Sequence, residues 1–135
     1  GGLSAGGYGV INFVCKHPDM FTERAALSPA VYTPLPPEHS SAWRHPAYLD
    51  EEGDFSNELW KDLNYTSYID DYMDGEEVVP LYINSGDHDT FDIAYHATEL
   101  YQTLREHQPN QVELRIVDGD VTASQHRFTV ACHAE

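Results

Sequence analysis

The sequence predicts an α/β fold organised around a parallel β-sheet with flanking helices. Three observations carry that expectation. Strand-like and helix-like segments alternate along the chain, the run 78–83 is almost continuously apolar, and a helix of clean 3.6-residue period separates the last two strands. Alternation of this kind places parallel strands side by side and helices on both faces of the sheet.

The elements follow in order. After Gly1-Gly2-Leu3-Ser4-Ala5-Gly6-Gly7, the residues Val10, Ile11, Phe13 and Val14 share one helical face, and Pro18 stops the helix. Arg24-Ala25-Ala26-Leu27 is a short buried strand ending at Ser28-Pro29. Residues from about 31 to 75 are irregular: Pro34, Pro36 and Pro37 enforce an extended loop, and short helices are expected at 56–63 and 66–73. The segment carries Trp43, Tyr48, Phe55, Trp60, Tyr65, Tyr68 and Tyr72, too many aromatics for a solvated linker, so a lid-like insertion is expected. A strand over 78–83 follows, with Pro80 near its start. Ile93, Ala97, Leu100, Tyr101 and Leu104 then mark a helix closed by Pro109-Asn110. Val112, Leu114 and Ile116 alternate with Glu113 and Arg115 as a last strand, and Asp118-Gly119-Asp120 is the turn after it, with a final helix expected beyond. Three strands alone are a poor core, so further strands, including the one feeding the opening turn, are expected before Gly1.

With 135 residues, 41% hydrophobic and 22% charged, the composition is that of a globular domain. Seven Lys and Arg against 23 Asp and Glu give a formal net charge of −16, which disfavours nucleic acid and anionic lipid as partners. No apolar run is long enough to span a bilayer, and any signal peptide would lie upstream of Gly1, leaving the compartment open. The two cysteines, Cys15 and Cys132, suit buried thiols better than a disulfide framework. Asn64-Tyr65-Thr66 matches a glycosylation sequon, a pattern too short to carry weight.

Gly2-Leu3-Ser4-Ala5-Gly6 satisfies G-x-S-x-G. At a sharp strand-to-helix turn the serine is held in a strained conformation, and the glycines keep side chains from colliding across it. Its hydroxyl then projects where a base can reach it, making Ser4 the candidate nucleophile. The N–H of Ala5, at the start of a helix, is the candidate oxyanion donor. A carboxylate is expected after the strand 78–83, and Asp89 is preferred over Asp87, although either alone could cap the next helix. A metal cluster of Asp87, His88, Asp89 and Asp92 lacks any recognised ligand spacing, so neither metal nor cofactor is expected.

The chain resembles the putative-esterase family of α/β-hydrolases, which includes enterochelin-esterase-like and esterase-D-like proteins. The resemblance rests on Gly2-Leu3-Ser4-Ala5-Gly6-Gly7-Tyr8-Gly9, His17-Pro18-Asp19-Met20-Phe21, Leu27-Ser28-Pro29-Ala30, Ser85-Gly86-Asp87-His88-Asp89-Thr90-Phe91 and Val117-Asp118-Gly119-Asp120. It implies an α/β-hydrolase sheet of which residues 1–135 are the C-terminal part of a single domain, the N-terminal half being missing. It further implies Ser4 as nucleophile, Ala5 as oxyanion donor and Asp89 as acid. The family's histidine follows a turn like Asp118-Gly119-Asp120 directly, but Val121 stands there, and His126 is the nearest candidate base. The function expected is a serine esterase or acyl-hydrolase that cleaves a small-molecule ester or thioester through an acyl-enzyme on Ser4, with Tyr32 and Trp43 as substrate contacts. Two alternatives stay open: a non-catalytic binding module, favoured by Val121, and an acyltransferase.

Overall fold

Four parallel strands run in sequential order: β1 (Gly2–Leu3), β2 (Arg24–Leu27), β3 (Leu81–Gly86) and β4 (Val112–Val117). The computed structural model describes residues 1–88 and 91–119. Helix α1 (Ala5–Lys16) joins β1 to β2, while α2 (Asn57–Leu63) and α3 (Ile69–Asp74) lie in the long connection to β3. Helix α4 (Ile93–His107) joins β3 to β4. The helix expected after Asp120 falls outside the described residues.

Two expectations are corrected. The strand that feeds the opening turn was set before Gly1, yet Gly2 and Leu3 already pair with Ala26 and Leu27 as a fourth strand. Two residues are too few to show a period, so only pairing reveals it. The third strand lies at Leu81–Gly86, three residues beyond the run 78–83. Its register is set by its neighbours, Leu81 against Arg24 and Val112, and the Pro80 carbonyl extends the ladder by accepting the Arg24 N–H at 2.9 Å. Helices were also expected on both faces, and the last of them falls outside the described residues. Right-handed crossovers between successive neighbours put the connections on one face, and α1, α3 and α4 accordingly share a single core.

That core joins Ile11, Val14 and Cys15 of α1, Ile69 and Tyr72 of α3, and Ala97, Leu100 and Leu104 of α4 to Ala26, Leu81, Ile83 and Val112 of the sheet. Each fully buried aliphatic side chain contributes about 1.5–3 kcal/mol relative to exposure. Phe13, assigned to the same helical face as Ile11, is instead 60% exposed, because the buried stripe of α1 runs through Gly7, Ile11, Val14 and Cys15. Beneath the sheet's amino end, Tyr72, Val79 and Gln108 form a buried polar link: Tyr72 Oη donates to Gln108 Oε1 (2.5 Å) and accepts the Val79 N–H (3.0 Å), and Gln108 Nε2 donates to the Val79 carbonyl (2.9 Å). No helix among the described residues is long and apolar enough to cross a membrane.

The segment 31–75 folds as turns held by side chains reaching backbone carbonyls. The indole of Trp43 donates to Pro37 O and that of Trp60 to Pro34 O, each at 2.9 Å, which stiffens the proline loop. Ser56 caps α2 by accepting the Leu59 N–H. Asn64 is buried and spans the segment, donating to the Tyr32 carbonyl (2.9 Å) while accepting the Tyr65 N–H (2.8 Å). Its amide is thus committed to the fold and closed to glycosylation in the folded chain.

Candidate active site

Ser4 sits between β1 and α1 with φ 55° and ψ −113°, a positive φ that costs a non-glycine residue about 1–3 kcal/mol. Three backbone hydrogen bonds hold it there. Its N–H donates to Leu27 O (2.9 Å), and its carbonyl accepts from Tyr8 N (3.0 Å) and Ala30 N (3.1 Å). The turn is so tight that a Cβ on Gly2 would stand 2.3 Å from the carbonyl carbon and oxygen of Gly6. A side chain on Gly6 would meet nothing within 4 Å, so the first glycine of the motif relieves the collision and the second only supplies backbone to it. Gly7 carries a separate constraint, since its Cβ would lie 3.0 Å from Pro29 Cα.

The strained turn also sets the surroundings of Ser4. It sets the Ser4 side chain on the wall of a cavity of about 410 Å³ and starts α1 immediately afterwards, so Ala5 offers a first-turn N–H with no intrahelical acceptor at that same wall. The rest of the cavity is largely aromatic: Tyr8, Tyr32, Tyr48, Trp60 and Phe91 line it. Ser40, Ser41 and His45 form its polar part. The aromatic wall is internally packed, with the Tyr48 and Trp60 rings 4.8 Å apart edge to face and Tyr32 edge-on to His96 at 5.5 Å.

One carbonyl ties this wall to the helix bearing Ser4. Leu63 O, at the end of α2, accepts from Tyr8 Oη (2.5 Å) and from Asn12 Nδ2 (2.9 Å), two donors one turn apart on α1. Burial, reinforced by the hydrogen bond from Tyr48, drives the Tyr8 hydroxyl well above the usual tyrosine value, so it stays protonated and available to donate.

The predicted site residues divide into three groups. Ser4, Ala5 and Tyr32 meet at one cavity. Trp43 lines a neighbouring cleft with Leu35, Pro36 and Arg44, its ring 4.4 Å from Phe55, behind the wall. Asp89 and His126, together with Val121, lie outside the described residues. The alternative acid, Asp87, stands at the end of β3, where its Oδ1 accepts the Gly119 N–H (3.1 Å) and its own N–H donates to Val117 O (3.0 Å). The His88 ring lies between Asp87 (3.5 Å) and Asp118 (3.6 Å), all three exposed, so these groups are largely solvated. Asp92 occupies the position before α4 in a left-handed conformation without capping it through its side chain.

Sequence reasoning passed over Tyr8 and His45, and named Tyr48 and Trp60 only among the aromatics of the segment. For Tyr8 a signal existed: it follows Ser4 by four residues, one helical turn, and so sits on the same side of α1. The others come from irregular backbone, where spacing in the chain says nothing of direction.

A family model described as Putative esterase matches residues 1–133. A solved structure described as a ferulic acid esterase resembles the chain with a TM-score of 0.61 and 24% identity, covering 97% of this chain and 47% of that one. The chain thus spans about half the length of that neighbour. No curated protein matches.

Proposed function

This chain belongs to the putative-esterase family, and on that premise we propose that it hydrolyses carboxylic esters through an acyl-enzyme on Ser4. The observation that carries the proposal is the strained Ser4 at the wall of an aromatic cavity, next to the first N–H of α1. In this reading Ser4 Oγ attacks the ester carbonyl as a base takes its proton, and the Ala5 N–H donates to the oxyanion that forms. Collapse expels the alcohol, which receives the proton, and water then releases the acid by the same path. His126 is the proposed base and Asp89 the acid that orients it, on the family resemblance and chain order alone.

The wall drawn from residues 31–75 suits an ester with a flat aromatic group, and ferulic acid esters, the kind named in the neighbour's description, are natural first substrates to try. A fluorophosphonate probe is expected to label Ser4, and Ser4→Ala to lose both the label and turnover by about 10⁴-fold or more. His126→Ala should lose turnover by a similar factor while keeping the fold. Unchanged turnover in Ser4→Ala would overturn the acyl-enzyme, and unchanged turnover in His126→Ala would remove only the base.

A further inference from the structure

Among the described residues that line the Ser4 cavity, His45 is the only imidazole, and its surroundings fix which way its proton points. His45 caps the 3-10 turn Pro46–Tyr48: its Nδ1 accepts the Ala47 N–H at 3.1 Å. Its backbone N–H donates to Ala42 O (3.2 Å), and its ring lies 5.5 Å from that of Tyr48. A ring nitrogen that accepts a hydrogen bond carries no proton, so the neutral imidazole holds its proton on Nε2. A general base acting through Nε2 needs the opposite tautomer, which would set an Nδ1–H against the Ala47 N–H, donor to donor. His45 is therefore built as a donor and not as the base for Ser4.

We propose that His45 Nε2–H donates to an acceptor oxygen on the part of the substrate that lies against the aromatic wall, selecting esters that carry such an oxygen over isosteric ones that lack it. The proposal deepens the esterase reading and rests on the Ser4 cavity being where the substrate binds. Its physical basis is the cost of a stranded donor. His45 is exposed, so a ligand that covers it without offering an acceptor removes its water and returns nothing. The aromatic side chains of the cavity offer little in exchange, since the Tyr8 hydroxyl is already given to Leu63 O and the Trp60 indole to Pro34 O. Ser40 accepts the Ala42 N–H and keeps its own hydroxyl proton as a second donor on the same side.

The test compares N-methyl-4-acetylbenzamide with N-methyl-4-isopropylbenzamide, a pair of similar shape of which only the first carries a second carbonyl oxygen, para to the amide. Calorimetric titration is expected to show the protein favouring the acetyl compound by about fivefold. His45→Phe should bring the ratio to near one, and His45→Gln, which keeps a side-chain N–H, should restore part of it. With the matching methyl esters, His45→Phe should raise KM for the acetyl ester and leave kcat within about twofold. The proposal is overturned if the wild-type protein shows no preference, if His45→Phe retains it, or if kcat falls at constant KM, which would assign the donor to the reacting carbonyl. If His45→Phe melts early, His45→Gln and the wild-type ratio still decide. Absence of fluorophosphonate labelling would sink the esterase reading alone, because the amide affinities need no turnover.

Discussion

The sheet with α1 and α4 and the segment 31–75 are held together differently. The first closes by aliphatic burial, with Ile11, Val14, Ile83, Leu100 and Leu104 at most 1% exposed. The second closes by aromatic rings whose polar ends are spent on backbone carbonyls, Trp43 on Pro37, Trp60 on Pro34 and Tyr68 on Asp62, and Tyr8 of α1 reaches Leu63 O in the same way. Regular elements satisfy their own backbone and need only volume, whereas irregular chain leaves carbonyls open and needs side chains that fill space and donate at once. Tyrosine and tryptophan do both. The aromatic richness of the segment is therefore its structural glue first and the lining of a cavity second.

Three measurements bear on that contrast. Leu100→Ala should cost the most, about 2–5 kcal/mol in urea unfolding, and lower the midpoint without altering protease sensitivity within 31–75 under native conditions. Trp60→Phe keeps most of the ring but leaves Pro34 O unpaired; a loss of about 1–3 kcal/mol is expected, with faster native-state cleavage inside the segment. Equal protease sensitivity in the two variants would erase the distinction between the regions. The smallest effect concerns titration. Burial pushes the Cys15 thiol from its ordinary 9.0 up to about 12 and the Tyr65 hydroxyl from 10.0 to about 12. Both bind their protons more tightly when folded, so their stabilisation is complete below about pH 9 and drains away between pH 9 and 12 as the unfolded chain deprotonates first. Cys15→Ala should make the onset of that decline later, and Cys15 should resist alkylation at pH 8 until the chain unfolds.

Legibility followed the same divide. Arg24–Leu27 and Val112–Val117 stand where apolar pattern and turn residues put them, and α4 keeps its buried stripe of Ile93, Ala97, Leu100 and Leu104. Pattern failed where pairing overrides propensity: β3 continues through Asn84-Ser85-Gly86, poor strand formers that are buried and held by pairing, all three to β4 and Asn84 to Leu27 of β2 as well. It failed again at Phe13, whose place on α1 is decided by where the sheet lies and not by the helix itself. At the site, Ser4 and Ala5 were legible because the strained turn needs its glycine at Gly2, a demand written in composition. His45 was not, because its role depends on a hydrogen bond to Ala47 that fixes a proton and on a turn that aims a ring.

The double hydrogen bond on Leu63 O has an evolutionary corollary. A main-chain oxygen is supplied by whatever amino acid occupies the position, so the anchor survives any change of residue there short of one that bends the chain. What it cannot survive is a change of count. Inserting or deleting a single residue between Trp60 and Leu63 would present a different carbonyl to Tyr8 and Asn12 and rotate the wall relative to Ser4. Homologous walls should accordingly drift freely in spelling while α2 keeps its length, and natural insertions should gather on the exposed turn around Asp50 and Gly53, away from the anchor.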